Sequence, residues 1–81
     1  MAATVLAKSA RELRTRLRQL IRFLHPRLSM READEIASSI ISSLPRVKWD
    51  LIEMEVERCG PGVRVKAIRL YKLVYEDVRM T

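Results

Sequence analysis

Along residues 4–24 the apolar side chains fall at Leu6, Ala10, Leu13, Leu17, Leu20 and Leu24, in steps of 4, 3, 4, 3 and 4. That spacing lines one face of a helix and excludes a strand, whose side chains alternate with period two. Ile21 and Phe23 widen the apolar surface toward the end of the segment. Ser9 can cap a helix start, but Leu6 and Ala7 continue the pattern upstream of it, so the spacing predicts a helix over 4–24. Pro26 closes it, because the residue before a proline is pushed out of the helical region.

Residues 29–32, Ser-Met-Arg-Glu, have the form of a capping box, in which hydroxyl and carboxylate each accept from the other's backbone amide. They introduce a second helix over 30–44, with Ala33, Ile36, Ala37, Ile40, Ile41 and Leu44 as its buried stripe and Pro45 as its stop. The link between the helices is short, which predicts an antiparallel hairpin.

The period then changes. Residues 52–57 alternate strictly between apolar and acidic, Cys59-Gly60-Pro61-Gly62 is a turn, and Val63 to Lys66 resume the alternation. Strands are expected over about 48–58 and 63–75, followed by a short tail. Folding at Gly60-Pro61 sets Glu57 opposite Arg64, Glu55 opposite Lys66, Val56 opposite Val65 and Met54 opposite Ala67. Acid then meets base on one face and apolar meets apolar on the other. Beyond Ala67 both faces would be largely apolar, which implies a bulge near Ala67-Ile68 or burial on both sides. A helix rivals the strand here, with Arg69, Lys72, Glu76 and Arg79 at steps of 3, 4 and 3; the β-branched and aromatic Ile68, Tyr71, Val74 and Tyr75 favour strand. The expected architecture is α+β: a single domain over 1–81, an antiparallel two-helix hairpin followed by a β-hairpin packed on it, since two strands do not stand alone in water.

Size and composition narrow the function. A chain of 81 residues buries only roughly 60% of its unfolded surface, so a homo-oligomer or a place in a larger complex is expected to support it. One cysteine excludes an intramolecular disulfide, and one histidine argues against a protein-ligated metal. No apolar run approaches the ~20 residues of a membrane span, and the start lacks a signal-peptide pattern, so the chain is read as cytoplasmic. The absence of asparagine, a lone glutamine (Gln19) and a preference for arginine over lysine fit a thermophile. Two glycines, no phosphate loop and no nucleophile–base set give an enzyme, a cofactor or a small-molecule substrate nothing to rest on. His25 is expected as a cap or surface residue and Cys59 as inert.

Charge is the most informative feature. The formal net charge is +6. Lys8, Arg11, Arg14, Arg16, Arg18, Arg22 and Arg27 face Glu12 alone in the first third of the chain, while the remainder balances. On a helix, Arg11, Arg14, Arg18 and Arg22 share a face. Like charges at this spacing cost about a few tenths of a kcal/mol each, and the guanidinium fork matches phosphate oxygens.

Two readings follow. In the first, the chain is a small basic accessory protein that binds DNA or RNA backbone without strong sequence specificity, through Arg11, Arg14, Arg18 and Arg22 with Arg16 and Arg27 supporting. The hairpin tip, Arg58 and Arg64, would add phosphate contacts. The second helix offers Ser38, Ser39, Ser42 and Ser43 where a recognition helix carries base-reading side chains. In the second reading the chain is a non-catalytic interaction subunit. It would dock Leu6, Leu13, Leu17, Leu20 and Leu24 on another protein, with Trp49, Tyr71 and Tyr75 as further anchors and the arginines paired with acids of that partner. The plainer alternative to both is a solvated charge face, or a stripe answered within the chain by Asp34, Glu35, Glu53 or Glu55.

Overall fold

The structure, a computed structural model, describes residues 2–73. The order of elements is β1 (Ala2–Ala7), α1 (Ala10–Leu24), α2 (Met30–Ser42), β2 (Leu51–Cys59) and β3 (Gly62–Tyr71). The strands form one antiparallel sheet in the order β1-β2-β3. The class is α+β, with a helical layer on one face of the sheet.

The first element differs from the expected helix over 4–24. Residues 2–7 are strand, and the helix begins only at Ala10. The heptad reading joined Leu6 to the leucines beyond it, but Leu6 points outward from a strand. Its neighbours Val5 and Ala7 point inward, pairing with Met54 and Ile52 of the central strand. Burial against β2 outweighs helical periodicity here, because two inward side chains and a ladder of backbone hydrogen bonds are gained together. Ser9 supplies the break. Its hydroxyl accepts from the Glu12 amide at 3.1 Å, and its extended backbone starts α1.

α1 lies over β1 and β2, and α2 packs on α1. Leu13, Leu17, Ile21 and Leu24 enter a core with Val5, Ala7, Ile52, Met54 and Val56. Ala33 and Ala37 are the two fully buried residues of α2, and their lack of bulk lets it approach α1 closely. The capping box is formed: the Ser29 hydroxyl accepts from the Glu32 amide at 3.1 Å and the Glu32 carboxylate accepts from the Ser29 amide at 3.2 Å. α2 ends at Ser42, two residues before the expected end.

The β2–β3 hairpin turns at Gly60, whose φ of 58° is the left-handed value that favours glycine. Glu57 pairs with Arg64 and Val56 with Val65 as expected, but the register then slips by one. Glu55 pairs with Ala67 and Met54 with Ile68, in place of the expected Glu55–Lys66 and Met54–Ala67. Lys66 is the extra residue of this bulge, and it keeps Glu55 within 3.7 Å and Glu57 within 3.9 Å. The slip puts Ile68 and Leu70 on the same face as Val65, so the apolar residues of both halves of β3 point one way. The second strand stops at Tyr71, and the expected continuation to Val74 and Tyr75 lies outside the described residues. Trp49 precedes β2 and packs half-buried against the core. No helix among the described residues is long and apolar enough to cross a membrane.

Candidate polyanion interface

The leucine seam is the first of the expected contact surfaces to be settled. Leu13, Leu17 and Leu24 are buried within the chain and Leu20 packs against the same core, so they bind the protein's own sheet and helix and are not offered to another chain. Leu6 is separated from them and exposed on β1, and Tyr71 is exposed on β3. Phe23, expected to widen the apolar stripe, is 66% exposed.

The arginine face of α1 is also partly consumed. Arg14 donates through Nε and an Nη nitrogen to both oxygens of Asp34, at 3.0 and 2.6 Å, a two-pronged bond between α1 and α2. Arg18 reaches the same carboxylate at 3.6 Å. The two arginines share one acid because positions 14 and 18 lie a turn apart on the side that faces α2. Arg16 pairs with Glu12 at 3.3 Å and donates to the Leu6 carbonyl at 2.5 Å, tying α1 to β1.

The hydrogen bond from Arg14 holds the Asp34 carboxyl below its usual range, and Asp34 in turn raises Arg14. A carboxyl whose folded-state pKa is depressed contributes stability above its unfolded pKa and loses it as pH falls through the folded value. Asp34→Asn is therefore expected to lower stability at neutral pH and to leave it closer to wild type at pH 2. Denaturant titrations at the two pH values check this; an equal deficit at both would exclude the charge-dependent tie.

The sheet is electrostatically closed as well. On its outer face Glu53 accepts from Arg69 at 2.6 Å, which raises the arginine's pKa, and Glu57 is bonded to Arg64. Glu35 pairs with Arg31 at 3.5 Å, Glu32 serves the capping box, and Asp50 accepts from the Leu73 amide at 2.7 Å. Every acid among the described residues thus has a partner inside the fold. What remains is a set of cations with no carboxylate partner among the described residues: Lys8, Arg11, Arg22, Arg27, Arg46, Lys48, Arg58 and Lys72.

Most of these cations lie toward the two ends of α1, about 22 Å apart for a helix of 15 residues, while Lys72 follows β3. Lys8 and Arg11 stand at its start. Arg46 is close by, because it lines a cleft with Ala10 and Trp49, and Lys48 precedes Trp49 in the chain. At the other end Arg22 donates only to the Leu28 carbonyl, at a long 3.4 Å. Arg27 and Arg58 line one cleft of about 480 Å³ with His25 and Pro26. His25, expected as a cap or surface group, is the C-cap of α1 and only 7% exposed. Its Nε2–H donates to the Gly62 carbonyl at 2.6 Å, since a carbonyl can only accept, and this fastens the end of α1 to the β2–β3 turn.

The structure therefore separates the four arginines expected on one face, and the two expected to support them. Arg14, Arg16 and Arg18 are matched in the middle, and Arg11, Arg22 and Arg27 are left at the ends. Arg58 joins Arg27 through the hairpin, whereas Arg64, its expected companion at the tip, is spent on Glu57. Lys8 counted in the charge excess of the first third but belonged to no expected site; Arg46 and Lys48 lie on no periodic face, and their signal was the lack of any acid between Leu44 and Trp49. Among the described residues no group of three His, Cys, Asp or Glu side chains could hold a metal ion. The chain matches no family model, no curated protein and no solved structure.

Proposed function

We propose that the protein binds the phosphate backbone of nucleic acid, without strong sequence specificity, through its basic ends. One observation carries the reading: each described acid is committed within the fold, while most of the cations without a carboxylate partner among the described residues lie toward the two ends of α1. A solvated surface would be expected to mix both signs. Arginine predominates at the end that holds Arg22, Arg27 and Arg58, and its fork suits phosphate oxygens. The serines of α2 give no base-reading set, so the binding rests on backbone contacts, which position a protein without reading sequence.

The test is the salt dependence of binding. Three phosphate contacts at roughly 0.9 each give a slope of log affinity against log salt near −2.7 on duplex DNA, and roughly 0.7 each gives near −2.1 on a single strand. Both slopes are measured by fluorescence anisotropy between low and moderate salt. No binding at low salt, or a slope near zero, removes the proposal.

A second reading, an interaction subunit, has a specific observation in its favour. Among the described residues β3 is an edge strand, with Ile68 and Tyr71 exposed at 40% and 42%, and an uncovered edge is a template for another strand. This reading now rests on the sheet edge, because the leucine seam is occupied within the chain.

A further inference from the structure

We propose that the end of the molecule holding Arg22, Arg27 and Arg58 is a site for single-stranded nucleic acid, in which the Phe23 ring stacks on a base while Arg27 and Arg58 hold neighbouring phosphates. The inference rests on the polyanion reading above and adds the form of the strand. Lone exposed apolar residues are common on protein surfaces and need no cause. Phe23 is distinguished by its setting. It lies in the last turn of α1, turned away from the buried stripe, with an unmatched arginine immediately before it and a second four residues after.

The third arginine comes from elsewhere in the chain. Arg58, at the end of β2, reaches the same cleft as Arg27 because the His25–Gly62 hydrogen bond fastens the close of α1 to the hairpin turn. The ring and the three guanidiniums therefore ride on elements locked together by a buried histidine, so little order must be gained on binding. His25 is itself spent on that tie. What this end of the molecule presents is an exposed aromatic residue in the last turn of α1 and three arginines without a carboxylate partner among the described residues.

That combination discriminates between forms of nucleic acid. In a duplex the bases stack on one another, and an exposed phenylalanine at the backbone has nothing to stack on. In a single strand each base has an open π-face, and an aromatic ring beside a basic groove is the arrangement that captures it. The cleft of about 480 Å³ between Arg27 and Arg58 has room for a phosphodiester. Ring stacking and phosphate contacts read no base edge, so binding is expected to tolerate any sequence.

The experiment compares wild type, Phe23→Leu and Phe23→Trp by fluorescence anisotropy, with a labelled oligothymidylate of about 12 nucleotides and a duplex of matching length. Leucine keeps the apolar character and the helix propensity but removes the π-face. Expected is a loss on the order of tenfold for Phe23→Leu on the single strand with the duplex unaffected. For Phe23→Trp, wild-type affinity is expected, with the added indole emission quenched by the bound oligomer. Wild-type affinity of Phe23→Leu for the single strand, or an equal loss on the duplex, overturns the stacking site and leaves the backbone reading standing. Failure of wild type to bind either form overturns both.

Discussion

Leu17→Ala is expected to cost about 2–5 kcal/mol of folding stability, the largest effect of any single change considered. Leu17 sits at the middle of α1, fully buried, in the core shared by α1, α2 and the sheet. Truncation removes apolar contact with all of them, and the neighbours cannot close the gap without moving a helix off the sheet. A chain of 81 residues has a total stability of only about 4–12 kcal/mol, from roughly 0.05–0.15 kcal/mol per residue. The variant is therefore expected to unfold at a much lower denaturant midpoint, or to be largely unfolded in buffer. A loss below about 1 kcal/mol in chemical denaturation would mean that Leu17 is not the central core residue the fold makes it. The same measurement separates the two fates of the seam, since a leucine used for docking would leave the isolated chain almost unchanged when truncated.

Reversing the charge of Arg22, Arg27 and Arg58 to glutamate together is expected to weaken nucleic acid binding on the order of 100-fold at low salt and to flatten its salt dependence. These three have no carboxylate partner among the described residues, so their replacement removes attraction for an anion without breaking an internal ion pair. The fold should survive, as all three side chains are exposed. The matched control is Arg14→Glu with Arg18→Glu. That pair sets two acids against Asp34 and is expected to destabilise the helical hairpin more than it alters binding. Binding that persists with an unchanged slope in the triple variant would place the ligand elsewhere. A triple variant that loses its assembly state, measured as mass in solution, would move the balance to the interaction-subunit reading.

The legible parts of the molecule were those decided by neighbours in the chain. The capping box at Ser29 and Glu32 formed as spelled, because both hydrogen bonds close within three residues. The hairpin turn and its first two cross-strand pairs followed from the Gly60-Pro61 turn and the charge alternation. The start of α1 was also written locally: Ser9-Ala10-Arg11-Glu12 repeats the Ser-x-x-Glu pattern of the second helix. The apolar spacing overrode it in the reading because Leu6 is in phase with Leu13 by coincidence. β1 could not be told from a helical turn until its partner was known. Strand status depends on a ladder with residues some fifty positions away, and Ala2–Ala7 are short, small and weakly β-prone.

The charge followed the same division. Which residues carry it, and that the excess lies in the first third of the chain, is plain from the order of amino acids. Which of those charges are free is a matter of three-dimensional proximity. Asp34 was recognisable as an acid able to answer the stripe, but only the antiparallel packing of α2 on α1 brings its carboxylate to Arg14 and Arg18 and leaves Arg11 and Arg22 beyond its reach. Arg27 and Arg58 are distant in the chain and share a cleft solely because a buried imidazole joins a helix end to a hairpin turn. Local signals therefore determined the second helix, the cap of the first and the hairpin turn, and composition the total charge, whereas β1 was decided by its distant partner strand. Coulomb attraction falls with distance in space, not along the chain, and so the position of the unmatched charge was decided by packing alone.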